Sequence, residues 1–316
     1  MAVWVDEKEV GIRRMRGVSQ VQFIEEIEPA GKPVIFDDAI DDWEALGKWS
    51  PEYFTQHHGQ TQVPVRGRGS AEGQQSTVTI ADLVKPRPAD VDPISLPYLT
   101  NWNLNTDSSS LAADCQPYLK YANPDWLCFP GLPGNLHYPK QQLELLYGQA
   151  GCGFPVLHFD RGFMNAFIMQ IYGEKEFFVF PPDQVSHLYP ESEGSPISKI
   201  RDVLNPDLAE FPNFEQATGA RFTLKPGDTL FVPGGWWHIT RLLTTSIGVT
   251  CNSVTQSVWR PFVDSCREHI QLEDNPSLQR RLLPTFMRLS TPILRAAYRI
   301  SPTGFPKFGI GEPRSR

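Results

Sequence analysis

From about residue 150 to 255 the chain is a succession of short strand-like segments cut apart by glycine and proline, and this limits its folds more than any other feature. The stretch "PVLHFDRGFMNAFIMQIYGEKEFFVFPP" (155 to 182) reads as two buried strands, and "KPGDTLFVPGGWWHIT" as a turn, a strand and a Gly-Gly turn. Short strands with turns between them favour an antiparallel sandwich or barrel over a parallel βαβ array. The first stretch also holds a histidine, an aspartate, an asparagine and a lysine among core-forming residues. Such groups are costly to bury unless something satisfies them.

Spacing points to a metal ion. In "LHFD", His158 and Asp160 are two positions apart, which on a strand directs both side chains to one face. His238 follows the Gly-Gly turn. Two histidines and one carboxylate with open positions form the facial triad that suits non-haem Fe(II). Counting from Asn165 along Phe167, Met169 and Ile171, Lys175 falls on the same parity, so one face is expected to carry both Asn165 and the lysine if Gly173 introduces no bulge. A lysine aimed into a barrel needs an anion, from the protein or from a ligand; otherwise it snorkels to the rim.

Around this region the pattern is mixed. "SQVQFIEEI" has helical spacing, "KPVIFDD" is β-rich, and Ser50-Pro51 resembles an N-cap with proline at the first helical position. "SLPYLTNWNLN" alternates, with Tyr98, Thr100 and Trp102 expected on one face. After a Pro/Gly-rich passage at 129 to 139, "QQLELLYG" reads as a short helix ending on glycine. Residues 190 to 219 have little strand character and are too long for a turn, as befits a lid or binding surface. Beyond Trp259, two amphipathic helices and a loose end are expected.

With 40% hydrophobic residues in 316, the chain can bury a large core. Its apolar runs are far shorter than the roughly 20 residues that cross a bilayer, and the first residues lack signal-peptide form, so a soluble cytoplasmic protein is expected. The five cysteines are scattered without a CxxC pair, which indicates neither a disulfide framework nor a thiolate zinc site. The net charge is −7, divided as +5 over residues 260 to 316 and −12 over the rest. An acidic body repels phosphate backbones, so nucleic acid is not an expected partner.

The ordered motifs "HFD", Asn165, "QIYGEK", "FPPDQ", "LYP", "FPNF", "PGD", "WWH" and Asn252 resemble those of the JmjC, cupin-like Fe(II)/2-oxoglutarate oxygenases. They look most like the asparaginyl hydroxylases of the factor-inhibiting-HIF type and bacterial cupin-like relatives. The resemblance is dense from about residue 95 to 255. It implies a mainly β double-stranded β-helix (jelly roll, cupin) over residues 1 to 259 with an N-terminal α/β elaboration, and a helical, dimer-forming segment over 260 to 316. It further implies that His158, Asp160 and His238 ligate Fe(II), and that Lys175 and Tyr98 hold the distal carboxylate of 2-oxoglutarate near Asn252. Asn165, Gln170, Thr100 and Trp237 become candidates for facing substrate or supporting the ligands. The implied reaction uses O₂ to hydroxylate a C–H bond, foremost in a protein or peptide residue. Alternatives are a free small molecule, an N-methyl-lysine, or metal binding without turnover; with all of His158, Asp160, His238 and Lys175 present, catalysis ranks ahead.

Overall fold

The structure, a computed structural model, describes residues 3–67, 76–85, 91, 96–129, 131–132 and 141–300. Most of the Pro/Gly-rich passage at 129 to 139 and the loose end past residue 300 lie outside them. Among the described residues there are thirteen strands: β1 (Val3–Val5), β2 (Arg13–Met15), β3 (Val34–Phe36), β4 (Gln62–Arg66), β5 (Ser76–Thr79), β6 (Tyr98–Asn103), β7 (Glu144–Gly148), β8 (Asn165–Tyr172), β9 (Lys175–Phe180), β10 (Thr218–Leu224), β11 (Thr229–Val232), β12 (Trp237–Leu242) and β13 (Ser246–Ser253). They form a nine-stranded sheet, β2-β3-β11-β8-β13-β7-β6-β4-β5, and a four-stranded sheet, β1-β10-β9-β12. From β8 to β13 the chain passes repeatedly between the two sheets, at Gly173, at the Pro226-Gly227-Asp228 turn, at Gly234-Gly235 and at Thr244-Thr245. This exchange between sheets is that of a double-stranded β-helix.

The cores follow from the layers. Between the sheets, Ile168, Leu230 and Val232 meet Phe177, Val179, Phe222 and Leu224. The far side of the large sheet, with Phe167, Met169, Phe231 and Val249, packs on the N-terminal elements through Phe23, Trp43, Trp49 and Phe54. Because β8 is covered on both faces, nearly every residue in it is buried, and its sequence is a continuous apolar run rather than an alternation. The far side of the small sheet, with Phe178, Phe180 and Trp237, is covered by residues 188 to 217 through Leu188, Ile200, Phe211 and Phe214. The long loop therefore has a core of its own.

The N-terminal helical segment divides into Gln20–Gln22 and a π-helical turn, Phe23–Ile27, and Ser50 caps the helix Pro51–His58 by accepting from the Tyr53 N–H. The expected C-terminal helices are Trp259–Gln271 and Leu278–Ile300. Trp259, Phe262, Val263, Met287 and Leu294 on them close over Trp126 and Val254. On the outer side of the longer helix, Leu282, Phe286, Leu289 and Ile293 are exposed at spacings of four, three and four. No described helix is long and apolar enough to cross a membrane.

Two local expectations are corrected. "QQLELLYG" contains strand β7 rather than a helix, because it lies between β6 and β13 and is buried on both faces. A short apolar run buried all round carries no period that separates strand from helix. In β6 the alternation breaks at Asn101, which has φ 60° and marks a shift of register between Leu99 and Trp102. Tyr98 and Thr100 line the cavity between the sheets, while Trp102 turns to the opposite core.

Candidate metal centre and its pocket

Residues of both sheets line a cavity of about 1270 Å³. At its centre His158, Asp160 and His238 each offer one ligand atom, all within 4.8 Å of one another. His238 stands on β12. His158 lies in an irregular segment that bridges to it: the His158 N–H donates to the His238 carbonyl at 3.0 Å and the His238 N–H to the His158 carbonyl at 2.6 Å. This pairing brings the ring centroids to 4.4 Å. Asp160 follows at the head of a tight turn, and the Nε2 of His238 is 3.9 Å from its Oδ2.

Hydrogen bonds set the tautomers. Nδ1 of His158 is 3.0 Å from the Val156 carbonyl, and Nδ1 of His238 is 3.1 Å from the Trp236 carbonyl. A carbonyl only accepts, so each Nδ1 carries a proton and each Nε2 is the atom turned toward the cluster. Burial, and then the neighbouring His238, hold the His158 pKa well below its ordinary value, which keeps that ring neutral. Burial raises the carboxyl pKa of Asp160, opposed by His238 and by Asn252, whose Nδ2 donates to Oδ1 at 3.3 Å. Oδ2 is left to a metal. Two imidazoles and one carboxylate suit a divalent ion such as Fe(II).

Lys175 is 1% exposed. It lies four residues along β9 from Val179, the residue paired with His238, so its ammonium enters the same cavity at greater depth. Nζ donates to the Tyr98 hydroxyl at 3.4 Å, and no carboxylate among the described residues pairs with it. Burial lowers its pKa from 10.5 to about 7. An ammonium so placed is matched by an anionic ligand.

A family model described as "Cupin-like domain" matches residues 20–259. The chain belongs to the cupin-like domain family. It is 30% identical to lysine-specific demethylase 8 of Xenopus tropicalis over 255 residues, 79% of this chain and 54% of that one. It is also 30% identical to human HSPB1-associated protein 1 over 236 residues, 66% of this chain and 44% of that one. To human tRNA wybutosine-synthesizing protein 5 it is 25% identical over 276 residues, 81% and 79% of the two chains. The chain thus spans about half the length of the first two relatives. The JmjC-type, cupin-like resemblance drawn from the motifs holds.

Within this cupin-like domain the structure separates the expected residues into two sets. His158, Asp160, His238, Lys175, Tyr98, Thr100 and Asn252 line the one cavity. Asn165, Gln170 and Trp237 do not. Asn165 donates to Glu28 at 3.4 Å and Thr255 at 3.1 Å, and accepts from the Gly234 N–H at 3.0 Å. Gln170 ties the β8–β9 turn by donating to the carbonyls of Tyr172 and Gly173 and to the Ser246 hydroxyl. Trp237 packs edge-on against Phe159 in the core outside the small sheet. The parity argument linking Asn165 to Lys175 also fails. Gly173, with φ 71°, carries the chain from one sheet to the other, so Lys175 shares the cavity with Ala166 and Ile168.

Sequence reasoning passed over Arg66, Glu144 and Phe154. Phe154 stacks on His158 with centroids 4.2 Å apart. Glu144, the one charge inside the "LELLYG" run, was a readable signal hidden by the helical reading. Burial raises its carboxyl pKa, Asp160 adds to this, and the Asn101 N–H and Arg66 oppose it.

Proposed function

We propose that the chain is an Fe(II)- and 2-oxoglutarate-dependent oxygenase that hydroxylates a C–H bond of an amino acid, free or in a peptide. The observation that carries this reading is one cavity holding both the His158, Asp160, His238 cluster and a buried ammonium that no carboxylate among the described residues pairs with. Bound Fe(II) would couple loss of CO₂ from 2-oxoglutarate to O₂ reduction, one oxygen atom going to succinate and the other to the new hydroxyl.

The chain's own residues do the rest. His158 and His238, oriented through Nδ1, present Nε2 to the ion, and Asn252 steers Asp160 so that Oδ2 faces it. Lys175 and Tyr98 receive the distal carboxylate. Phe154 against His158, and the loop at 190 to 219 through Pro196 and Ile197, shield the centre from water.

The name of the frog relative supports N-demethylation as a second reading, in which the same hydroxylation on an N-methyl group releases formaldehyde. We further read residues 1 to 259 as the catalytic domain and the C-terminal helices as a dimer element, on the exposed stripe of Leu282, Phe286, Leu289 and Ile293. The test is incubation with Fe(II), 2-oxoglutarate and ascorbate. Slow succinate formation that disappears in His158→Ala is expected; equal succinate from the variant overturns the reading.

A further inference from the structure

We propose that the outer part of the cavity receives a zwitterion, Arg66 binding a carboxylate and Glu144 an amine, so that the substrate is a free amino acid rather than a residue within a chain. The proposal rests on the oxygenase reading above and deepens it by choosing among its substrates.

Most charges on the cavity wall already have a partner or a role. Arg201 and Glu191 satisfy each other at 2.5 Å. Asp125 accepts the N–H groups of Leu127 and Val254, at 2.9 and 3.1 Å. Asp160 belongs to the metal cluster and Lys175 to the cosubstrate, while Arg161 has an interaction of its own. Arg66 and Glu144 are left.

Arg66 sits opposite Tyr98 on β6, with Nε buried and, among the described residues, no acceptor within reach. Buried guanidinium nitrogens are ordinarily hydrogen-bonded, above all to carboxylates. Glu144 sits opposite Asn103, takes one backbone N–H from Asn101 and, among the described residues, pairs with no cation. Both side chains face the same cavity, and Glu144 feels the charge of Arg66, yet no ion pair within 4.0 Å joins them. Two opposite charges on the same sheet wall of one pocket, either side of β6 and not joined in an ion pair, complement a ligand that carries both charges itself. An internal peptide residue, whose amine and carboxyl are amides, leaves both uncompensated.

The test supplies the protein, with Fe(II), 2-oxoglutarate and ascorbate, with proteinogenic amino acids, ornithine and β-alanine, each also as its N-acetyl and carboxamide derivative. Succinate and a product heavier by one oxygen atom are measured. A free amino acid is expected to stimulate turnover while both blocked forms fail. Arg66→Gln is expected to raise its KM by about tenfold or more and to erase the preference for acid over carboxamide; Glu144→Gln should instead erase the preference for free amine over N-acetyl. This crossed pattern distinguishes recognition from damage to the fold, which would lower every substrate alike. Turnover of blocked forms as readily as free ones by the parent protein, or loss of both preferences together in each variant, overturns the proposal. If the parent binds 2-oxoglutarate and forms succinate but no free amino acid stimulates it, the proposal fails while the oxygenase reading stands; if it binds neither metal nor 2-oxoglutarate, both fail.

Discussion

His158 and His238 exchange both of their backbone hydrogen bonds, at 3.0 and 2.6 Å, so two residues eighty positions apart form one antiparallel bridge with their imidazoles side by side. The bridge fixes the backbones and the carbonyl contacts orient each Nδ1, so the chain's own hydrogen bonds hold both rings in place. Preorganisation of this kind reduces the ordering cost of binding an ion.

Removing one ring should therefore leave the fold and lose the ion. His238→Ala is expected to lower Co(II) affinity by more than about 100-fold, since even supporting residues of metal ligands are worth about 10- to 100-fold. Anaerobic titration followed by Co(II) absorbance measures it, with unchanged circular dichroism as the control.

Lys175→Met keeps an unbranched side chain but removes the ammonium. Binding of 2-oxoglutarate should weaken by about 1.5–3 kcal/mol, the worth of a charge-assisted bond. The ligand-free protein, relieved of a buried charge, should melt no lower than the parent. Calorimetry and thermal denaturation, with and without 2-oxoglutarate, read these opposite effects.

The same lysine gives a pH dependence of defined sign. Its pKa is about 7 in the folded chain and 10.5 ordinarily, so between these values the unfolded chain holds a proton that the folded chain lacks. Stability then rises with pH across that window by up to about 1.4 kcal/mol per unit, and below it the full cost of the buried charge is present. Binding of 2-oxoglutarate, which needs the ammonium, should weaken as pH climbs above about 7. Urea denaturation of parent and Lys175→Met isolates the contribution as a difference in slope.

Glu28 is expected to act on the metal centre from a distance. Its carboxylate accepts from the hydroxyls of Thr255 and Ser257 and from Asn165, whose Oδ1 accepts the Gly234 N–H in the turn leading to His238. Gly234 has no room for a Cβ because the Phe163 carbonyl abuts it. Glu28→Ala leaves buried donors without an acceptor and should cost roughly 1–3 kcal/mol. It should also weaken Co(II) binding, whereas a purely structural role would lower the melting temperature and leave the titration unchanged.

The stripe of Leu282, Phe286, Leu289 and Ile293 lies on the solvent side of its helix. If a second copy covers it, Leu282→Glu together with Leu289→Glu should halve the mass measured by light scattering, because charges there are costly to bury. A parent protein that is already monomeric would rule this out.

How far the sequence was legible varies by residue. The Ser50 cap and the two C-terminal helices depend on neighbours a few positions away, and local spacing and residue type carry that information; His158 and Asp160 do meet, but in an irregular segment and a turn rather than on the strand that their spacing suggested. The side on which Lys175 emerges could not be read by counting from Asn165, because Gly173 hands the chain to the other sheet and resets the alternation. Trp102 was misplaced for a related reason, the bulge at Asn101.

The amino-acid sequence alone determined the inventory: short strands able to close into a β-helix, two imidazoles, a carboxylate and an ammonium among apolar residues, and the motifs that name the family. Tertiary structure alone decided which of these groups share a cavity. It set Asn165, Gln170 and Trp237 aside for packing and hydrogen bonding, and turned the unnoticed Arg66 and Glu144 inward. The physical reason is that strand periodicity fixes a side chain's face only relative to its own sheet, whereas a cavity is defined by how two sheets meet.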